Sequence, residues 1–333
     1  MRYLITGGAG FIGSHVADRL VARGDDVVLL DDLSTGSIDN IRHLMAGGTR
    51  LVRGSVLDHP LVSGVVRDRD VVVHLAATVG VELVVREPLK TLLNNVRGTE
   101  IVLDAAYAVG AKVLVASSSE VYGKSAAGAV SEDADRILGS LFKARWSYAV
   151  SKEVDEIYAF EFHRERGLPT IVARLFNCVG PRQTGAFGMV VPRFVRQALT
   201  GSPITVFGDG TQSRCFCHVS DTVSGILSLL DTEAAVGDVF NVGSQNEISM
   251  KGLAELVLEM TGSSSPIEYI PYSVAYEPGF EDMERRLPDI AKIAAVTGWA
   301  PTYSLKDLLA DTIEHEREAL SAEAARVPAG RRA

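Results

Sequence analysis

The sequence predicts an α/β fold, a doubly wound parallel sheet followed by a smaller C-terminal α/β lobe. Three observations predict it. Short apolar runs alternate with helix-period stretches through the first half of the chain. A glycine-rich turn joins the first run to the first helical stretch. From about residue 180 the texture changes, with glycine and proline arriving in short bursts.

Taken in order, the runs at 3–6, 26–30, 50–52, 71–75 and 113–117 read as buried strands, and 170–175 extends the same sheet. Residues 11–23, 88–109 and 146–166 read as the helices between them. Brief helices follow at 191–200 and 250–260, while 221–230 is expected to pack back on the main sheet within the segment 220–245. Residues 1–178 therefore form the first domain and 179–315 most of the second lobe. Residues 314–333 are rich in Glu, Arg and Ala and end P-A-G-R-R-A. They are expected to begin helical and then fray, leaving 316–333 as a tail.

Composition excludes several function classes. A formal net charge of −9 argues against nucleic-acid binding through a basic surface. No apolar run reaches the roughly 18–20 residues of a membrane span. Met1 leads directly into the first strand, which leaves no room for a signal peptide. Cys178, Cys215 and Cys217 are too few for a disulfide framework and fit a reducing cytoplasm. The run C-F-C-H at 215–218 places Cys215 and Cys217 on one face of a strand. No second Cys/His pair returns at usable spacing, so they read as core thiols and no metal site is expected.

The turn after the first strand is T-G-G-A-G-F-I-G, with Gly7, Gly10 and Gly13 three apart. Glycine permits the tight turn and close approach of backbone to a pyrophosphate, and the next helix aims its first N–H groups there. The second strand ends at Asp31 and Asp32. Carboxylates at that place accept hydrogen bonds from ribose hydroxyls and repel a 2′-phosphate, which selects NAD over NADP. This is the dinucleotide fingerprint of a Rossmann domain. Asp58, at the end of the third strand, either reaches the adenine amine or caps the next helix.

Tyr148 and Lys152 stand at i and i+4 in Y-A-V-S-K, on one face of a helix. An ammonium beside a phenol favours phenolate and should bring the Tyr148 pKa down toward neutrality. Such a phenolate can take a proton from a sugar hydroxyl while a hydride leaves the same carbon. Upstream, a buried strand ends in S-S-S-E at 117–120, where polar groups must be paired or used.

These segments together resemble the extended short-chain dehydrogenase/reductases, in their nucleotide-sugar epimerase, decarboxylase and dehydratase branch. The resemblance rests on T-G-G-A-G-F-I-G, D-D-L-S-T-G, H-L-A-A, N-N-V-R-G-T, S-S-S-E-V-Y-G, Y-A-V-S-K, R-L-F-N-C-V-G-P-R and F-G-D-G-T-Q-S-R, and spans nearly the whole chain. It implies that Tyr148 and Lys152 are the catalytic pair and that Ser118 hydrogen-bonds the sugar O4. It places Ser119 and Glu120 where the branch decides the fate of its ketone. It adds Phe11, Ile12, Ser34, Thr35, Gly36, Val56, Leu75, Ala76 and Ala77 to the NAD site, with Asn95 lining the nicotinamide pocket. It implies a UDP-sugar substrate: Asn177 and Arg214 at the diphosphate, Val191 and Phe207 at uracil, Gln212 beside them, and Arg286 at the sugar carboxylate. Members of the branch pair through two long helices, so a homodimer through 88–109 and 146–166 is implied.

The branch shares oxidation at C4 and divides afterwards. Dehydratases carry Asp-Glu where this chain has Ser119-Glu120, which disfavours dehydration. Ser-Glu with an arginine such as Arg286 is the pattern of UDP-glucuronate decarboxylases. The loop P-R-Q-T-G-A-F-G-M-V-V-P-R-F at 181–194 instead looks like a bacterial group of sugar-nucleotide epimerases. On that loop the expected reaction is 4-epimerisation of UDP-glucuronate to UDP-galacturonate, with UDP-glucose/UDP-galactose as a further pair and decarboxylation as the alternative. A non-catalytic NAD sensor is disfavoured because Ser118, Tyr148 and Lys152 are all present.

Overall fold

The computed structural model describes residues 1–124, 128–140, 142–185, 188–275 and 285–326, apart from the side chains of residues 81, 82, 275 and 326. Its central sheet has seven strands: β1 (Arg2–Thr6), β2 (Asp26–Asp31), β3 (Arg50–Arg53), β4 (Val71–His74), β5 (Lys112–Ser118), β6 (Thr170–Leu175) and β7 (Val239–Val242). They lie in the order β7-β6-β5-β4-β1-β2-β3. Every pairing is parallel. The order reverses between β1 and β4, which opens a crevice at the carboxyl ends of the strands.

The helices that matter here are α1 (Phe11–Ala22), α2 (Gly98–Val109), α3 (Trp146–Arg166), α4 (Val190–Leu199), α5 (Val219–Asp231), α6 (Met250–Thr261) and α7 (Leu305–Arg326). Strand side chains alternate between faces, and both faces are apolar because both are covered. Ile5, Leu29, Val73 and Leu114 point to the side where α1 and α5 pack through Val16, Leu20, Val223 and Ile226. Leu4, Leu30, Val72 and Val113 point to the other, against Val102 of α2 and Ala159 and Phe162 of α3. Each such side chain removed from water contributes about 1.5–3 kcal/mol.

The six expected strands are all present, and 220–245 does return to the main sheet, where β7 pairs with β6 from Val239↔Val172 onward. The helix expected over 88–109 runs without a break, but not as a regular α-helix throughout. Pro88–Leu92 is followed by a π-helical stretch, Leu93–Arg97, before α2 begins. The wider turn brings the amide of Asn95 inward: its Oδ1 accepts from Thr78 N at 2.7 Å, and its Nδ2 donates to Ser151 Oγ at 3.0 Å. Tertiary hydrogen bonds therefore override a regular periodicity.

The second lobe has its own core, in which Val191, Phe194, Val206, Leu253 and Leu309 meet between α4, α6 and α7. Helix α7 runs on to Arg326, so 316–326 is helix rather than the frayed tail expected. Arg196 of α4 holds it there through Glu316, at 3.6 Å, and through Glu323. The rest of the expected tail, 327–333, lies outside the described residues. Cys215 and Cys217 do not share a strand. The chain changes partner at Phe216, so Cys215 pairs with Glu247 and Cys217 with Cys178. All three thiols are free, and burial pushes those of Cys215 and Cys217 up to about 12.

Two glycines test the tightness of the first turn. A Cβ on Gly13 would fall 2.2 Å from the Gly7 carbonyl oxygen. Gly64, inside the helix His59–Val66, has open space around the same position. Gly13→Ala should lower the unfolding free energy by about 1–3 kcal/mol. Gly64→Ala should raise it by about 0.5–1 kcal/mol. Urea titrations of both variants check the pair, and a Gly13→Ala midpoint like wild type would mean that the turn relaxes freely.

Candidate active site

One cavity of about 840 Å³ follows the carboxyl ends of the strands and passes under the second lobe. Every residue expected to bind or react lines it except Gly36, Asp58 and Asn95. Those three have other places. A Cβ on Gly36 would meet Asp31 Oδ1 at 2.9 Å, so the small residue lets the loop close on that carboxylate. Asp58 Oδ1 accepts from Leu61 N at 3.1 Å, which makes it the helix cap. Asn95 is fully engaged with Thr78 and Ser151, and it is Asn94 that faces the cavity.

At the first turn, Gly7 has φ +69°, a conformation that glycine adopts without strain. Its N–H donates to Leu30 O at 2.8 Å, which ties the turn to the end of β2. Gly10 precedes α1 and gives the helix no side-chain cap. The first-turn N–H groups therefore face the cavity side of the turn without a competing hydroxyl. Asp31 is buried; its Oδ2 accepts from Ala9 N at 2.9 Å and its Oδ1 from Leu33 N at 2.8 Å. Burial nonetheless raises its pKa, the backbone donors opposing the rise. The shape and donor set suit a dinucleotide: glycine where a Cβ would obstruct, N–H groups for phosphate, a carboxylate for ribose hydroxyls.

The middle of the cavity carries Tyr148 and Lys152 of α3. The Lys152 ammonium donates to Ala116 O at 3.0 Å and to Asp155 Oδ2 at 2.9 Å. Burial opposes its charge, but Asp155, Tyr148 and Glu156 outweigh burial and hold the ammonium above its ordinary pKa. Ser118 stands beside the Tyr148 phenol and favours its charged form. Burial pushes that phenol up, while Lys152 and Ser118 pull it down by less. The direction is therefore opposite to the one expected from spacing alone. Beneath Lys152, His74 is completely enclosed, 2.7 Å from Thr6 Oγ1 on one nitrogen and 3.0 Å from Thr99 Oγ1 on the other. Burial, and secondarily Lys152, lowers its pKa to about 3, so the ring is neutral.

The three serines at the end of β5 divide their work. Ser117 Oγ donates to Glu156 at 2.5 Å, in a buried cluster with Arg174. Ser118 meets the tyrosine, and its Oγ also accepts from Glu120 N at 3.3 Å. Ser119 Oγ lies 3.5 Å from Arg286 Nη1. Glu120 sits between two guanidinium groups, with Arg286 Nη2 2.6 Å from Oε1 and Arg145 Nη2 3.5 Å from Oε2. Arg145 was not expected in the site. The available signal was its place three residues before Tyr148, one helical turn away on the same side.

On the lobe side, Gln212 Nε2 donates to Phe207 O at 2.8 Å and Asn177 Nδ2 to Cys215 O at 3.1 Å. The Arg193 guanidinium stands 4.1 Å from the centre of the Phe207 ring, an aromatic contact the sequence reading did not anticipate. Arg214 is buried.

A glycine turn at the switch point of a parallel sheet, beside a Tyr-x-x-x-Lys pair on the neighbouring helix, is the layout of the short-chain dehydrogenase/reductase scaffold. The family model described as GDP-mannose 4,6 dehydratase matches residues 4–312, and the chain belongs to that family, within the NAD-dependent nucleotide-sugar epimerase, decarboxylase and dehydratase branch. Among its relatives, the UDP-N-acetyl-alpha-D-glucosaminuronate decarboxylase of Bacillus cytotoxicus is 39% identical over 318 residues, 95% of this chain and 98% of the relative. UDP-glucuronic acid decarboxylase 1 of Arabidopsis thaliana is 36% identical over 307 residues, 92% of this chain and 68% of the relative. Among solved structures, the UDP-glucuronic acid 4-epimerase of Bacillus cereus in complex with UDP-glucuronic acid and NAD superposes with TM-score 0.87 at 30% identity, covering 96% of this chain and 100% of that one. The UDP-glucose 4-epimerase of Thermotoga maritima with UDP-glucose also gives TM-score 0.87 at 30% identity, with the same coverage.

His74 supplies a pH test of the buried layer. Its folded pKa of about 3 lies below the ordinary value of 6.5. The neutral ring therefore contributes stability that is complete above pH 6.5 and is lost as pH falls toward 3. Between pH 6 and 4, His74→Gln should lose stability less steeply than wild type, by about 1.4 kcal/mol per pH unit. Urea midpoints across that range measure it, and parallel slopes would remove His74 from the account.

Proposed function

We propose that this protein is an NAD-dependent decarboxylase of a UDP-uronate. The observation that carries the reading is Glu120 clasped by Arg286 and Arg145 at the sugar end of the cavity, next to Ser119 and the Ser118–Tyr148 pair. An arginine fork within reach of Ser119 and Glu120 suits a sugar that brings a carboxylate of its own. The identities of 39% and 36% to uronate decarboxylases support the same reading.

The glycine turn and Asp31 would hold NAD, which would supply the hydride acceptor and, when oxidised, positive charge. Tyr148 takes the proton from the sugar O4, and Ser118 holds that oxygen in place. Lys152 keeps the phenolate compensated in a site where burial otherwise favours the phenol. With C4 a ketone, the C6 carboxylate is that of a β-keto acid, and its C5–C6 electrons pass into a C4 enolate as carbon dioxide leaves; a proton taken up at C5 and the hydride returned to C4, with the O4 proton given back by Tyr148, then complete the UDP-pentose. Arg286 orients the carboxylate so that this bond stands perpendicular to the carbonyl plane. Asn177 and Arg214 hold the diphosphate, and Val191, Phe207 and Gln212 form the uracil end. The homodimer implied by resemblance uses Pro88–Leu92, its π-helical continuation and α3, where Leu89, Leu93 and Ile157 are exposed.

A second reading, 4-epimerisation of UDP-glucuronate, is supported by the likeness to the Bacillus cereus epimerase and by the loop at 181–194, of which 186 and 187 lie outside the described residues. There the carboxylate is spared and hydride returns to the opposite face of C4. Incubation with UDP-glucuronate and with UDP-N-acetylglucosaminuronate, followed by NMR, separates the two. Carbon dioxide with a UDP-pentose is expected; UDP-galacturonate or its 2-acetamido counterpart would reverse the order of the readings. Tyr148→Phe should lower turnover by about 10²–10⁴-fold with NAD still bound. Lys152→Met should move the acid limb of the pH–rate profile upward, because the phenol then loses its compensating charge. An unmoved limb would separate Lys152 from the base.

A further inference from the structure

Part of the cavity wall is a short loop that the proposed reaction leaves without a task, and two helices hold it. Residues 181–185 bring Arg182, Gln183 and Gly185 into the cavity lining. Arg182 has φ +70°, a left-handed conformation that a residue with a Cβ rarely adopts and that persists only where its surroundings enforce it. From α1, the helix that opens at the glycine turn, His15 Nε2 meets Pro181 O at 2.9 Å and Asp18 Oδ2 pairs with Arg182 Nη1 at 2.8 Å. From α7, the half-buried His315 accepts the Arg182 N–H on its Nε2 at 3.0 Å.

The two histidines answer a proton differently. A carbonyl only accepts, so His15 Nε2 is a donor, and its bond survives whether the ring is neutral or charged. A backbone N–H only donates, so His315 Nε2 must be bare, and a proton placed there abolishes the bond. Burial holds His315 below its ordinary pKa of 6.5, with Glu318 of the same helix opposing the fall and Arg182 adding to it. The other charged groups nearby have partners of their own. Asp18 is shared by Arg182 and His43, Asp311 of α7 lies 3.2 Å from His218, and Glu316 faces Arg196 of α4 at 3.6 Å. The neutral acceptor is therefore complete above pH 6.5 and is lost as pH falls below it. We propose that His315 is a positioning residue for the nucleotide-sugar cavity: its neutral ring latches loop 181–185 between α1 and α7, and a proton on it releases the loop and weakens substrate binding. The inference rests on the UDP-sugar reading given above for its ligand, but not for the latch.

Amide exchange and titration calorimetry test it together. Between pH 7.5 and 5.5 the Arg182 amide should lose about tenfold in protection factor, which already allows for the intrinsic pH dependence of exchange. Over the same range UDP-glucuronate should bind NAD-loaded Tyr148→Phe protein, which turns it over slowly, about three- to tenfold more weakly. Neither the diphosphate nor the carboxylate of that ligand titrates there. Added to the same background, His315→Gln, whose side-chain carbonyl accepts without titrating, should keep both values high and level with pH. His315→Leu should hold both, at either pH, at the level the parent shows at pH 5.5. His15→Gln should keep the pH dependence of the parent. If His315→Leu does not fold, the comparison of His315→Gln with the parent carries the test alone. A pH dependence that survives in His315→Gln, or an Arg182 amide whose protection does not move, overturns the proposal. Exchange that follows His315 while binding stays level also overturns it, because the loop would then take no part in holding the ligand. Binding that tightens as pH falls does the same, since the charged ring would then face the ligand itself. A protein that binds no UDP-sugar at any pH overturns the substrate reading, and exchange at Arg182 still decides the latch.

Discussion

The ion pair between Arg174 and Glu156 is the contact on which the sugar end of the cavity depends. Both side chains are almost wholly enclosed, and they meet through two parallel bonds of 2.8 Å. Arg174 comes from β6 and Glu156 from α3, one turn beyond Lys152. The pair reaches further through its remaining donors and acceptors. Glu156 accepts from Ser117 at the end of β5, and Arg174 Nη1 donates to the Tyr122 hydroxyl and to Glu132 O, each at 2.8 Å. Tyr122 donates to Asn241 of β7, whose amide donates in turn to Val130 O and to Asp289 O. Asp289 stands three residues after Arg286. One buried network therefore fixes the height of Ser118, the rotation of α3 and the approach of Arg286. A buried pair of this kind contributes little net stability, because desolvation offsets most of its attraction. Its role is geometric: each member is satisfied only when all the segments are in place.

The same enclosure sets the electrostatics of the reacting groups. Burial works against every charge in the middle of the cavity, so each must be held by another. Lys152 is held by Asp155, which is itself pushed upward by burial and drawn back first by Lys152. His74, with no carboxylate against it, stays neutral, and its two hydroxyl partners satisfy both nitrogens. Tyr148 is left with burial as the dominant influence. A phenol in that position becomes a base only where positive charge is concentrated, and NAD held in this cavity would, in its oxidised form, add to the charge that Lys152 supplies.

Much of this was legible in the sequence, for definite reasons. Glycines at 7, 10 and 13, acids at 31 and 32, and Tyr148 with Lys152 are local patterns, and local spacing decides where they fall on strand, turn or helix. What escaped is what spacing does not carry. The π-helical turn at 93–97 follows from the demands of Thr78 and Ser151, which are distant in sequence. Asp58 had two readings, and the choice between them depended on which N–H group was nearest. The 316–326 helix persists because Arg196 receives its carboxylates, a contact across two helices. Spacing placed a lysine near the tyrosine but could not say how deeply both would be buried, so the direction of the Tyr148 shift came out reversed. Arg145 looked like any basic residue before a helix, and its enclosure against Trp146 was not visible.

The strand end S-S-S-E answers its own oddity through this division of labour. Alternation in β5 turns Ser117 inward to Glu156 and leaves Ser118 to the cavity. After Ser118 the chain enters a single 3₁₀ turn, Ser119–Tyr122, which swings the next two side chains toward Arg286 and Arg145. Three adjacent hydroxyls thus meet three different partners: Glu156 of the buried framework, Tyr148 and Arg286. An aspartate in place of Ser119 would put a second carboxylate beside Glu120, in reach of the same Arg286. The hydroxyl that stands at 119 instead brings no charge to this corner and lies 3.5 Å from Arg286 Nη1.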